Sequence, residues 1–222
     1  MDIAGRVAVV TGAGAGIGEG VARRLGECGA ALIAADVDDQ TGAATADAVR
    51  AAGGRAEFVH ADVSQEADAR SMVDAATDAF GGLDILVNNA GIATTPAFPE
   101  ADAEDWMRVV DINLRGVMLG TFYAIAAMRD RAGGAIVNIA SLAGLGRGPH
   151  ASPDYAATKA AVVRLSTALA PLATSRAIRV NCVCPDWVDT PMSRRTRARM
   201  SVEDRAIAVP RQCSRPATSR ML

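Results

Sequence analysis

Short apolar runs alternate with amphipathic helical stretches from the first residues to about residue 184, and this limits the folds open to the chain. The runs fall at residues 7–11, 31–35, 56–60, 83–88, 135–139 and 178–184. The helical stretches lie between them, near 17–29, 39–52, 66–80, 103–131 and 153–174. The runs are apolar at nearly every position, as strands buried on both faces of a parallel sheet must be. Strand followed by helix, repeated, predicts an α/β fold: a doubly wound, three-layer Rossmann arrangement with a mostly parallel sheet of about six strands. No repeat or linker divides the chain. One domain is expected over residues 1–192, with an atypical Arg-rich tail, without strand character, over 193–222.

Composition removes several function classes. Half of the 222 residues are apolar and 22% are charged, an ordinary globular balance. No apolar run reaches the roughly 18–20 residues that span a bilayer, and Met1-Asp2-Ile3 does not open a secretory signal. No membrane partner and a cytoplasmic location are therefore expected. The net charge of −2 gives no general attraction to nucleic acid, and the arginines after Ser193 read as a solvated end. Cys28, Cys182, Cys184 and Cys213 lack the paired spacing of a metal site, so no metal is expected. Cys182 and Cys184 share one face of a strand and read as structural.

The first strand runs into Thr11-Gly12-Ala13-Gly14-Ala15-Gly16-Ile17-Gly18. Glycines there let the backbone turn tightly and approach a pyrophosphate. The helix that follows aims its N-terminal amides and positive dipole end at the same anion. Asp36 ends the second strand, where a carboxylate accepts hydrogen bonds from ribose hydroxyls and repels a 2′-phosphate. Neither Ala15 nor Val37 supplies a cation for such a phosphate. NAD is the cofactor this predicts.

Of 23 basic residues only Lys159 is lysine. It lies four residues after Tyr155, on the same face of a helix. Arginine replaces lysine at most solvated positions but not where a compact ammonium is needed. A tyrosine with an ammonium beside it acquires a lowered pKa and becomes a usable acid/base.

The glycine spacing reads TGxxxGxG, and other landmarks follow in order: Asn88-Asn89-Ala90-Gly91, Asn113, Ser141, and Tyr155-Ala156-Ala157-Thr158-Lys159. In these the chain resembles the short-chain dehydrogenase/reductase family over roughly residues 5–192. The resemblance implies Tyr155 as general acid/base, Lys159 lowering its pKa and binding the nicotinamide ribose, Ser141 orienting the substrate oxygen, and Asn113 holding a relay water. It implies cofactor contacts at Gly12, Ala15, Gly16, Ile17, Gly18, Asp36, Asp62, Val63, Asn89, Ala90 and Gly91, and at Pro185, Val188 and Thr190 after the sixth strand. Leu142, Ala143, His150, Trp187 and Met192 are the candidate substrate walls, and they favour a small alcohol or ketone with an apolar body.

Two departures stand against the family pattern. Asp186 replaces the usual glycine after Pro185, and a position requiring positive φ would strain it. The end of the chain resembles neither the final helix nor the seventh strand of the family, so that strand is expected to be missing and the edge of strand six exposed. A homodimer through the long helices is expected, with a homotetramer as the alternative. Two functions fit: an active dehydrogenase, or a dinucleotide-binding homologue with little turnover.

Overall fold

A computed structural model describes residues 3–93, 99–129, 131, 133–146 and 151–199. The strands are β1 (Val7–Thr11), β2 (Ala31–Asp36), β3 (Arg55–His60), β4 (Ile85–Asn88), β5 (Gly134–Ile139) and β6 (Ile178–Val183). They form one sheet in the order β3-β2-β1-β4-β5-β6, and every pairing is parallel. All five residues of β1 are buried, which the unbroken apolar run requires of a central strand covered on both faces.

Helices α1 (Gly16–Glu27) and α2 (Asp39–Ala51) cover one face, around Ala8, Val10, Leu32 and Ala34. On the other face, α3 (Glu66–Phe80) packs with a long helical stretch on Val7, Val9, Ile33 and Leu86. That stretch comprises α4 (Ala103–Val110), a π-helical turn at Asp111–Arg115, and α5 (Gly116–Arg129). Its length and mean hydropathy of 1.3 over a window would suit a membrane span. Here it packs on the sheet as a core helix does. The stretch expected at 153–174 is two helices, α6 (Pro153–Ala168) and α7 (Leu172–Ser175), because Pro171 has no amide to continue α6.

After β6 the chain forms α8 (Pro191–Arg199), which crosses the boundary expected at residue 192. The reason is local. Thr190 and Ser193 cap each other, with the Ser193 amide donating to Thr190 Oγ1 at 3.2 Å and the Thr190 amide to Ser193 Oγ at 2.9 Å. The rest of the tail, from residue 200, lies outside the described residues. Among the described residues β6 has no outer neighbour, and Val183 is 47% exposed.

At the opposite end of the sheet, buried Asp84 ties β1 to the segment before β4. It accepts from the Val7 amide at 2.9 Å and pairs with Arg6 at 3.2 Å and Arg131 at 3.4 Å. The guanidiniums are partly solvated, so most of the worth lies in the satisfied Val7 amide. Asp84→Ala is expected to lower the unfolding free energy by about 2 kcal/mol, read from the urea midpoint. An unshifted midpoint would show that water replaces the carboxylate without cost.

Candidate active site

The chain reverses its winding direction between β1 and β4, so the helices leaving these strands diverge and open a crevice at their carboxyl ends. One side chain closes the floor. Thr11 Oγ1 accepts from the amides of Asn89 and Ala90, both at 3.0 Å. Asn89 answers through Nδ2, which donates to the carbonyls of Thr11 at 2.9 Å and Gly12 at 3.1 Å. The glycine-rich turn and the Asn88–Gly91 segment are thereby one unit.

Gly12 (φ 63°) and Gly16 (φ 59°) take left-handed backbone that other residues resist. A Cβ at Gly18 would lie 2.0 Å from the Gly12 carbonyl oxygen, so the helix could not sit this close to the turn with any side chain there. Ala15, the residue before α1, offers no side-chain cap, which leaves the amides at the helix start available to an anion. Asp36 Oδ2 accepts from the Gly14 amide at 2.7 Å and Oδ1 from the Asp38 amide at 3.0 Å, which fixes the carboxylate beside the turn. Val37 next to it is 60% exposed. Asp62 accepts from the Ser64 amide and hydroxyl through Oδ1, and Val63 is buried against Gly116. An uncapped helix start, a glycine cradle and a carboxylate set for hydroxyl groups fit a dinucleotide.

The second half of the site gathers at the ends of β4 and β5. Asn113, fully buried in the π-helical turn, donates from Nδ2 to the Ile92 carbonyl at 2.9 Å and accepts from the Ile92 amide through Oδ1 at 2.8 Å. Widening the helix by one residue turns this side chain onto the strand-end segment. A Cβ on Gly91 would lie 3.2 Å from Asn113 Oδ1 and 3.3 Å from Lys159 Nζ, so both converge on this glycine.

Lys159 is 3% exposed, and its ammonium donates to the Ile139 carbonyl at 2.9 Å. Burial pushes its pKa down to about 8, against the opposing pull of the thiols of Cys182 on β6 and Cys184 just after it. Nζ lies 5.7 Å from the centre of the Tyr155 ring. Burial raises the Tyr155 pKa, and only its hydrogen bond with Ser141 works in the other direction. The lowering expected from Lys159 is not realised: desolvation dominates at Tyr155, and Lys159, its own pKa pushed down to about 8, loses its proton before a phenol of raised pKa ionises.

Ser141 accepts from the Ala143 amide at 3.2 Å and opens a 3-10 turn, Leu142–Leu145. The turn seats on α6 through Gly144, where a Cβ would be 2.6 Å from the Lys159 carbonyl carbon. The Leu142 amide donates to the Pro185 carbonyl at 3.0 Å, which joins the serine to the loop after β6. That loop returns to the glycine cradle: a Cβ on Gly16 would lie 3.1 Å from Thr190 Cβ. Val188 holds Ser193 through its carbonyl at 2.7 Å. Trp187 and Met192 are half-buried along the same loop and the start of α8. His150 and residues 94–98 lie outside the described residues.

The strain expected at Asp186 is not there. Among the described non-glycine residues only Ala177, with φ 53°, has a positive φ. The loop therefore accepts Asp186 with ordinary backbone. Thr11 opens the TGxxxGxG pattern, but that spacing does not mark its hydroxyl as the tie between β1 and β4, and Ser193, whose hydroxyl binds backbone groups, carries no motif of its own.

The family profile of short chain dehydrogenases matches residues 6–201. The 3beta-hydroxysteroid dehydrogenase 1 of Eggerthella lenta is 41% identical over 194 residues, which cover 86% of this chain and 74% of that protein. The cis-4-hydroxycyclohexanecarboxylate dehydrogenase of Sinomonas cyclohexanicum is 44% identical over 188 residues, 84% of this chain and 75% of the other. Among solved structures, levodione reductase superposes with a TM-score of 0.83 at 36% identity, covering 92% of this chain and 81% of its own.

The buried ammonium gives stability a pH signature. Between pH 8 and about 10.5 the unfolded chain still holds a proton that folded Lys159 has released, so stability rises with pH across that window. Relative to Lys159→Met, the natural protein is expected to gain about 3 kcal/mol from pH 7 to 10.5. Denaturant titrations of both proteins at the two pH values measure it. Parallel pH profiles would mean that Lys159 titrates normally.

Proposed function

The chain belongs to the short-chain dehydrogenase family, and on that footing we propose that it is an NAD-dependent dehydrogenase of secondary alcohols, with Tyr155 as general acid/base. The family comprises oxidoreductases that bind a nicotinamide dinucleotide, NAD or NADP. The observation that carries the finer reading is a linked set: Ser141 hydrogen-bonds Tyr155, the Tyr155 ring centre lies 5.7 Å from the Lys159 ammonium, and buried Lys159 meets Gly91 together with Asn113.

The bound nicotinamide would supply the hydride acceptor in oxidation and the donor in reduction. The chain's residues handle the proton. Ser141 orients the substrate oxygen by hydrogen bonding. Tyr155 takes the hydroxyl proton as the carbinol carbon gives up its hydride, and returns it in the reverse direction. A half-buried phenol whose pKa is raised stands protonated at neutral pH, the state that donates to a ketone oxygen. Oxidation needs the phenolate, and the Lys159 ammonium, 5.7 Å from the ring centre, would stabilise it below about pH 8. Asn113 holds the Ile92 segment against α6, and any water relay would start from that anchored amide.

Gly12, Ala15, Gly16, Ile17 and Gly18 would hold the pyrophosphate. Asp62, Val63, Asn89, Ala90 and Gly91 would line the adenosine and ribose path, and Pro185, Val188 and Thr190 the nicotinamide end. Asp36 favours NAD: its carboxylate suits free ribose hydroxyls, and no cation at residue 15 or 37 offsets its repulsion of a 2′-phosphate. The substrate body would rest on Leu142, Ala143, Trp187 and Met192. Two relatives are named for alcohols on steroid and cyclohexane rings, which supports an alicyclic secondary alcohol. Exposed Met118 and Phe122 on α5, 52% and 66%, support a homodimer through the long helices.

NADH is expected to bind at least about tenfold more tightly than NADPH in fluorescence titrations, and Asp36→Ala to narrow the gap. Equal affinities would remove the argument for NAD. Tyr155→Phe is expected to cut kcat by at least about a thousandfold on any alicyclic alcohol that the natural protein oxidises, while NADH affinity stays within about twofold. Retention of most of the kcat would assign the proton transfer to another group.

A further inference from the structure

Asp186 stands where the resemblance predicts glycine, and the structure gives the substitution a place. The Pro185 carbonyl, one residue before it, is held by the Leu142 amide, one residue after Ser141. Four residues on, Thr190 lies against Gly16 of the cradle. Asp186 is therefore carried on the short bridge between the oxygen-orienting serine and the pyrophosphate turn. Its side chain is exposed, and its backbone φ is outside the left-handed region.

The charges along this bridge are unequal. Asp189 is neutralised by Arg194, which donates to both carboxylate oxygens at 2.7 and 3.0 Å. Among the described residues no hydrogen bond or ion pair engages the Asp186 carboxylate. A buried cation, Lys159, stands at Gly91 in the same site. Oxidised nicotinamide carries a positive ring and reduced nicotinamide a neutral one. A cation alone would disfavour the oxidised form, and an unneutralised carboxylate on the bridge works in the opposite sense.

We infer that Asp186 is a specificity-determining residue for the cofactor's oxidation state: its carboxylate strengthens binding of oxidised over reduced nicotinamide. The inference rests on the proposed dinucleotide site. It assigns Asp186 a function that a glycine could not have. Stabilising the oxidised form in the site also makes the bound reduced form the stronger hydride donor, so the residue biases the bound couple toward ketone reduction.

The test is equilibrium binding, independent of turnover. NADH is titrated by fluorescence and NAD+ by competition against it, on the natural protein, Asp186→Asn and Asp186→Glu. Asp186→Asn is expected to weaken NAD+ about threefold to fivefold and to leave NADH within about twofold. Asp186→Glu keeps the charge and should keep the natural ratio. The difference should shrink in about 1 M salt, where exposed charges are screened. Equal changes for both forms, or none, would overturn the inference and leave the dinucleotide site standing. Failure of the natural protein to bind either form would overturn the proposed function itself.

Discussion

The site depends on a hydroxyl whose three hydrogen bonds span two strands. Thr11 ends β1, accepts from the amides of Asn89 and Ala90, and donates to the Val87 carbonyl at 3.4 Å. These groups stand at the carboxyl ends of β1 and β4, where the sheet changes winding direction and the covering helices part. Without a tie there, two loops would leave the sheet independently. With it, the glycine cradle and the Asn89–Gly91 segment share one rigid base, and Asn89 reinforces it from the other side. Asn113 and Lys159 then reach Gly91 from a base that is already fixed.

Behind that base the core is held by polar contacts. Asn88 donates to Thr121 of α5 at 3.1 Å and to Asn138 of β5 at 2.8 Å, and Asn138 donates to Ser166 of α6 at 2.9 Å. Each of these residues is buried, so each bond left unmade would expose an uncompensated polar group to the core. The chain of bonds fixes the spacing of α5 and α6 on β4 and β5. That spacing sets where Asn113, Tyr155 and Lys159 emerge. Burying the Lys159 ammonium costs stability, and the packing of this face is what sustains it.

Much of this was readable in the residues. The unbroken apolar runs gave six parallel strands within one or two residues, because a central strand has no solvated face to record. The glycine spacing and the single lysine four residues after Tyr155 mark both halves of the candidate site, since each follows from local geometry. Other features had no local mark. The π-helical turn at Asp111–Arg115 adds one residue to a helix without breaking its apolar pattern. The division of α6 from α7 hangs on Pro171 within an otherwise continuous stretch. The mutual cap of Thr190 and Ser193 made α8 where hydrophobic periodicity had ended. Strain at Asp186 was inferred from the residue usual at that place, whereas φ depends on how this loop is anchored. The direction of the Tyr155 shift depends on how deeply Tyr155 and Lys159 are buried, which a spacing of four residues leaves open.

The central claim is that the carboxyl ends of β1, β4, β5 and β6 form one dinucleotide site. Amide hydrogen exchange with and without saturating NADH tests it most directly, because the readout is placed along the chain and needs no substrate. The account predicts slowed exchange at residues 12–18, 89–92 and 185–190, with no change at 26–30 and 52–55 on the opposite end of the sheet. Protection confined to that opposite end, or none at 12–18 under saturating NADH, would contradict it.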